Sequence, residues 1–379
     1  MLDQKRIGEL ISRLRKERGL TQSALADLLC VTHQAVSKWE SGSALPDVEV
    51  LVAMRGVFGL SVDDILNARM PSPETADAPA SKASDGAGAN ERLDTITEDT
   101  IVVFGDRTFE SPVAVDSCVI FGQAHFRADM HSDTLEVMGR GSFEGSVTVD
   151  SLGISGAANV SRGIQADSVV VRGELVARGG LSCDNLENSG ATNCGGGVNC
   201  DSMRNAGAFT IGGGIAADAL YSSGTMTIGG GISADSVDNS GMATIGGGVT
   251  SDAFMSSGDL TLGGGLKADS VRLSGRFRFG GGMSATSVSV TLEEQDCACH
   301  GIHAESVMVK SDPNHPGGVL TVREIIADHA ELSYVHSDLV KVQTGRIGDG
   351  CKIARLECGP EVEILPSAEI TEIQRLPGD

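Results

Sequence analysis

The sequence predicts a multidomain α + β chain: a five-helix N-terminal bundle built around a helix-turn-helix, a flexible linker, and a C-terminal β-helix (β-solenoid) with 17-residue turns. Three observations carry that prediction. Apolar residues recur at helical spacing through the first 70 residues. A stretch rich in Pro, Ala, Ser and acid follows. Gly-Gly-Gly triplets then begin at Gly195, Gly212, Gly229, Gly246, Gly263 and Gly280, a strict interval of 17. The predicted boundaries are 1–70 for the helical domain, 71–95 for a disordered linker and 96–379 for the solenoid.

Composition narrows the class. The 379 residues include 51 acidic and 29 basic side chains, for a formal charge of −22. Only 3% are aromatic while 50 are Gly, so the larger core must be narrow and filled by aliphatic side chains. No apolar run approaches the ~18 residues of a membrane span. The start, MLDQKRIGEL, has no secretory apolar segment, which makes the cytoplasm the expected compartment. Nine cysteines in such a chain read as reduced thiols. The charge is unevenly placed: residues 1–70 hold nine basic and nine acidic side chains, so the other 309 carry all of the −22.

In the helical domain, Ile7, Leu10, Ile11 and Leu14 define one face of a first helix from about Asp3 to Arg18. Thr21 is placed to cap a second helix, Gln22 to Leu29, and Thr32 a third that reaches Trp39 and stops before Gly42. Only Cys30 and Val31 separate these two, the spacing of a helix-turn-helix. Pro46 and Asp47 open a fourth helix carrying Val50, Leu51, Met54 and Phe58, and Ser61 caps a short fifth ending near Leu66.

The run TQSALADLLCVTHQAVSKWESGSALPDVEVL resembles the Cro/repressor (XRE-type) DNA-binding domain, at its Thr-Gln start, Leu25-Ala26, Val31, Val36, Trp39, Glu40 and Gly42. Cys30 departs from the family's usual glycine. The resemblance implies that the third helix enters the major groove of double-stranded DNA with His33, Gln34, Ser37 and Lys38 exposed. Gln34 suits an adenine edge and Lys38 a guanine or phosphate. It implies phosphate contacts from Gln22 and Thr32, and an Arg15–Glu40 pair across helices that is more structural than specific.

The repeat extends upstream of the Gly triplets as ten consecutive 17-residue units from Glu110 to Phe279, of which GGGISADSVDNSGMATI (229–245) is typical. Counting the triplet as positions 1–3, position 4 is apolar from Val113 to Leu266, position 9 is apolar or Cys from Cys118 to Val271, and position 13 is Gly from Gly122 to Gly275. Position 17 is apolar or Cys from Phe126 to Phe279. Short alternating runs between small residues fit three strands per turn with corners at the glycines. One turn cannot bury its own inner face, but stacked turns bury a continuous core. About 14 turns are expected at ~4.8 Å each. Hexapeptide acyltransferase and calcium-binding nonapeptide solenoids imply 18 residues per turn, which a rigid 17 does not match.

These units, with Ala-Asp-Ser after the first strand, and the ending RIGDGCKIARLECGPEVEILPSAEITEIQRL resemble the bactofilin-like, polymer-forming cytoskeletal family. That resemblance implies self-association end to end. Position 7 is Asp in all ten units, Asp116 to Asp269, and is read as capping its own corner in Asx-turn fashion in preference to binding cations. After Gly280 the period slips at LEEQDCACHGIH. Cys297, Cys299, His300 and His303 there match no established zinc spacing, so a surface loop is expected in place of a metal site. Cys183 and Cys200 share inward position 6 and read as core. No triad, phosphate loop or carboxylate pair points to catalysis, a cofactor or a small-molecule substrate.

The functional expectation is a sequence-specific DNA-binding transcriptional regulator whose solenoid mediates self-association. The alternative is a cytoskeletal scaffold whose helical head binds protein partners.

Overall fold

The computed structural model describes residues 4–17, 20–22, 25–26, 29, 31–47, 50–51, 54, 57–58, 62–66, 68 and 94–376. In the helical part, three helices are delimited where the sequence predicts five: α1 (Gln4–Glu17), α2 (His33–Glu40) and α3 (Val62–Leu66). The expected second and fourth helices fall on stretches only partly within the described residues. Helical i to i−4 bonds run there from Leu25 N to Thr21 O and from Leu51 N to Asp47 O. The linker expected at 71–95 lies outside the described residues up to 93, and the solenoid begins with a strand at Thr95–Ile96.

The helical core gathers the periodic residues of the sequence. Ile7, Ile11 and Leu14 from α1 and Val36 and Trp39 from α2 are buried with Leu25, Ala26, Met54, Phe58 and Ile65. Asp47 Oδ1 accepts the Val50 N–H at 2.9 Å, the cap expected where Pro46-Asp47 opens a helix.

The rest is a parallel β-solenoid of about 16 turns, two more than expected. In unit 229–245, strand Ile232–Asn239 occupies positions 4–11 and strand Met242–Ile245 positions 14–17. Each turn pairs with the next in register, Ile215 with Ile232 and Thr225 with Met242. The expected three strands are therefore two, of eight and four residues. The longer one is interrupted at position 7, where the ladder passes from Ala217–Ala234 to Ala219–Ser236 and omits the aspartate. Two corners remain, the Ser-Gly at positions 12–13 and the Gly triplet.

Alternation decides which side chains face inward. Positions 4, 9 and 17 are buried as predicted, from Met130, Leu135 and Phe143 to Leu266, Val271 and Phe279. Phe109, Phe126 and Phe143 stack along one column at 4.6 and 4.9 Å between ring centroids, one ring per turn. Position 11 also faces inward and was not singled out by the sequence. It holds Ile154 and Val171, then the buried polar run Asn188, Asn205, Ser222, Asn239 and Ser256, then Leu273.

Two further sequence expectations are corrected. Past Gly280 there is no surface loop at Cys297: residues Cys297–Ser311 form one strand that pairs in register with Leu320–Leu332. The extra residues lengthen the strand while the inward-outward alternation continues. The aspartates of position 7 are all exposed, and among the described residues Asp133 to Asp269 of that column make no Asx-type hydrogen bond. The bend sits at the aspartate without using its carboxylate. Among the described residues, no helix is long and apolar enough to cross a membrane.

Candidate nucleic-acid interface

The helix α2 starts at a side-chain cap. Thr32 is extended (φ −79°, ψ 147°), and its hydroxyl accepts the Ala35 N–H at 3.2 Å. That satisfies one of the amide donors a helix N-terminus leaves open. The turn before it is closed by Val31 N on Ala26 O at 2.9 Å. The helix then ends with Ser41 N on Ser37 O and Ser43 N on Lys38 O.

Eight residues at 3.6 per turn give α2 two faces. Val36 is fully buried and Trp39 is 6% exposed, which wedges one face into the core. His33, Gln34, Ser37 and Lys38 are exposed on the other. The four residues predicted to be exposed on this helix therefore share one open polar surface, at i, i+1, i+4 and i+5.

Behind this surface lies a network that fixes its angle. Arg15 is 8% exposed and turns inward from α1. Its Nη2 donates to Glu40 Oε2 at 3.0 Å and its Nη1 to the Leu20 carbonyl at 2.7 Å. Gln22 Nε2 donates to the same Glu40 oxygen at 2.9 Å. Hydrogen bonding to Glu40 raises the Arg15 pKa, against the opposing effect of burial. For Glu40, burial pushes upward, but hydrogen bonds from Arg15, Gln22 and Ser12 outweigh it and hold the carboxyl below its ordinary range. Close packing completes the joint. A methyl group on Gly8 would stand 2.2 Å from the Trp39 carbonyl oxygen, so α1 approaches the end of α2 backbone to backbone.

The seven sequence-predicted residues thus divide. His33, Gln34, Ser37 and Lys38 form the open face, and Thr32 stands at its edge with its hydroxyl engaged as the cap. Arg15 is internal, and Gln22 is half-buried with its amide on Glu40. Sequence reasoning missed Gly8 and the bond from Ser12. A glycine inside the first helix is the only local sign of such a close approach.

A helix-turn-helix family model matches residues 11–65. The N-terminal segment is a helix-turn-helix domain. It is 39% identical over 59 residues to the HTH-type transcriptional activator BcrR of Enterococcus faecalis, covering 16% of this chain and 29% of that protein. It is 36% identical over 59 residues to the SPbeta prophage-derived uncharacterized HTH-type transcriptional regulator YonR of Bacillus subtilis strain 168, covering 16% and 55%. The HTH-type transcriptional regulator PuuR of Escherichia coli K12 is 32% identical over 72 residues, covering 19% and 37%. This chain therefore spans between 29% and 55% of the length of these relatives. No solved structure matches the chain at a significant level.

The second residue group singled out by sequence is dispersed. Cys297 and Cys299 face the solenoid core at 1% and 7% exposure, while His300 and His303 point out. His303 Nε2 lies 3.2 Å from Glu324 Oε1. Alternation along one strand sends the thiols and imidazoles to opposite sides of the sheet. Burial pushes the thiols up, to about 12 for Cys299 and also for Cys118. Cys183 and Cys200 are register neighbours in the core, as position 6 predicted. The eight cysteines among the described residues are buried and free.

Proposed function

We propose that this protein is a sequence-specific DNA-binding transcriptional regulator, and that its solenoid brings copies of the chain together. The observation that carries the DNA-binding half is the open face of His33, Gln34, Ser37 and Lys38 on a helix wedged by Val36 and Trp39. Gln34 offers donor and acceptor together, the pattern that pairs with an adenine edge, and Lys38 offers a cation to guanine or phosphate. Thr32 stands at the edge of that face nearest a phosphate, while Gln22, expected on phosphate, is held on Glu40 and supports the face from behind. Arg15 acts through Glu40 as a positioning residue. The domain's zero net charge beside an acidic solenoid favours modest affinity per head with a steep salt dependence.

A specific observation supports self-association. The last strand, Glu369–Arg375, pairs with Lys352–Ile364, and among the described residues its other edge has no partner. Ile373 on it is 50% exposed. An unpaired strand edge is a template for another chain. The cytoskeletal-scaffold reading shares this half and differs only in giving the head a protein partner.

Selection from a random duplex pool, followed by titration at several salt concentrations, tests the reading. The expected result is an enriched motif. Gln34→Ala relaxes it at one position at a cost of about 1–3 kcal/mol, and Lys38→Ala lowers the salt slope by about one. Folded protein that shows no salt-dependent DNA binding overturns the regulator reading. Ile373→Asp should lower the sedimentation coefficient without touching DNA affinity per head.

A further inference from the structure

Position 12 of the repeat is a polar outer column for most of the solenoid. From Ser155 through Ser257 it is Ser, Arg or Ala, and each of these residues is exposed. The first three turns break the rule with Phe104, Phe121 and Met138. Position 10, also outward, holds Val102 and Val119 in the first two of these turns, where later turns carry Glu187 and Arg204. Register puts Val102 directly beside Val119. The Phe104 and Phe121 rings stack at 4.8 Å with 1° between their planes. One end of the solenoid therefore carries an apolar stripe on its outside, where position 12 in later turns is Ser, Arg or Ala.

Phe104 is nevertheless only 5% exposed. It belongs to the same buried cluster as Trp39, Val57, Phe58 and Ile65, and Val102 and Phe121 pack against that cluster. Residues Met1–Thr108, Val115–His125 and Val137–Gly141 make one compact unit, which includes both the helices and the stripe. A second, separate feature anchors the chain here. Asp94 Oδ1 accepts the backbone N–H groups of Phe104 and Gly105 at 2.7 and 3.1 Å, and its carboxylate also pairs with Arg107. The connection from the last helix is thus fastened onto the corner that bears Phe104.

We propose that the outer corner of the first three turns is a docking surface for the chain's own helix-turn-helix domain. The domain sits on Phe104, Phe121 and Val102 with His33, Gln34, Ser37 and Lys38 still exposed. Ala68 and Asp94 are 25 intervening residues apart. Such a connection reaches at most about 85 Å. That confines the head at a local concentration on the order of a millimolar, enough to keep even a weak apolar contact occupied. The consequence is a head fastened to the corner of these first turns with its polar face open. The docking itself does not depend on what the face reads.

The chain supplies its own probe, because Trp39 is its single tryptophan and lies in the head core. Time-resolved fluorescence anisotropy of Trp39 in the full chain reports whether the head tumbles with the solenoid. The wild type should show the slow correlation time of the whole particle. Phe104→Ser with Phe121→Ser puts the residue this column carries in later turns at both places, and should shorten that time about threefold or more. Circular dichroism checks that the strands persist, and Met138→Ser is a milder second variant expected to give an intermediate shortening. A wild-type head that already tumbles freely overturns the proposal. So does a folded double variant with unchanged anisotropy. A double variant that loses mass in sedimentation while Trp39 still tumbles slowly assigns the stripe to a second copy, and overturns it too.

Discussion

Arg15 Nη2 stands 3.0 Å from Glu40 Oε2, and this contact ties the first helix to the end of α2. The two side chains are 10% and 7% exposed, so each depends on the other for solvation lost on folding. Glu40→Gln keeps the shape and removes the charge. It should destabilise the helix-turn-helix domain by about 2–3 kcal/mol, read as a drop in the melting midpoint of Trp39 fluorescence. The pH dependence has a definite sign. The folded Glu40 pKa lies below its ordinary 4.5, so the pair's stabilisation is fully present above that value. It is lost as pH falls through the lower folded value. The wild-type head should therefore lose stability on acidification below about pH 4.5, and Glu40→Gln should flatten that loss.

The corner glycines of the solenoid differ sharply in what they tolerate. A Cβ on Gly241 would lie 2.0 Å from the Gly224 carbonyl oxygen, because successive Ser-Gly corners stack backbone on backbone. Neither atom belongs to a flexible side chain, so the turns themselves would have to separate. On Gly163 the nearest neighbour is the Gly180 carbonyl oxygen at 3.3 Å, a contact a small shift relieves. Gly241→Ala should cost several times more thermal stability than Gly163→Ala, with the loss of amide protection centred on residues 222–241.

These two cases show what kind of information a sequence carries. The 17-residue period, the inward positions 4, 9 and 17 and the exposed face of the third helix were legible, because each is a one-dimensional consequence of alternation or helical spacing. The corner geometry was half legible: the glycines announced corners, but the bend at position 7 lay inside what the ladder joins into one strand. The Arg15–Glu40–Gln22 network was legible only as a pairing, since 18 and 25 residues of separation hide the geometry that turns Gln22 inward. Position 11 escaped notice because five consecutive turns place Asn or Ser there, and only burial shows that the whole column faces the core.

That buried polar run makes its own prediction. Asn188 Nδ2 donates to Asn205 Oδ1 at 2.8 Å, and Asn205 Nδ2 donates to Ser222 Oγ at 3.2 Å. Removing the middle member takes a buried hydrogen bond from Asn188 and from Ser222. Asn205→Ala should cost about 2–3 kcal/mol by thermal or denaturant unfolding. Replacing Asn188, Asn205 and Ser222 together with Val should recover most of it, since Ile154, Val171 and Leu273 fill the same column elsewhere. Asn239→Ala should be milder than Asn205→Ala, because Asn239 Oδ1 already lacks a partner.

The aspartates of position 7 act against the stability of the turns that display them. They are exposed, one per turn, and turns are spaced at about 4.8 Å, so each neighbouring pair repels by roughly 0.9 kcal/mol in water before screening. A Debye length of ~30 Å at 10 mM salt leaves several neighbours in the column interacting, whereas ~4–5 Å near 0.5 M leaves almost none. Salt should therefore raise the solenoid's melting midpoint, opposite to its effect on a fold held by surface ion pairs. Asp201→Asn with Asp218→Asn should raise the midpoint at 10 mM salt by a few degrees and leave it unchanged at 0.5 M. A midpoint that falls in the variant at low salt would mean that these carboxylates hold something, and that the column is retained for binding despite its repulsion.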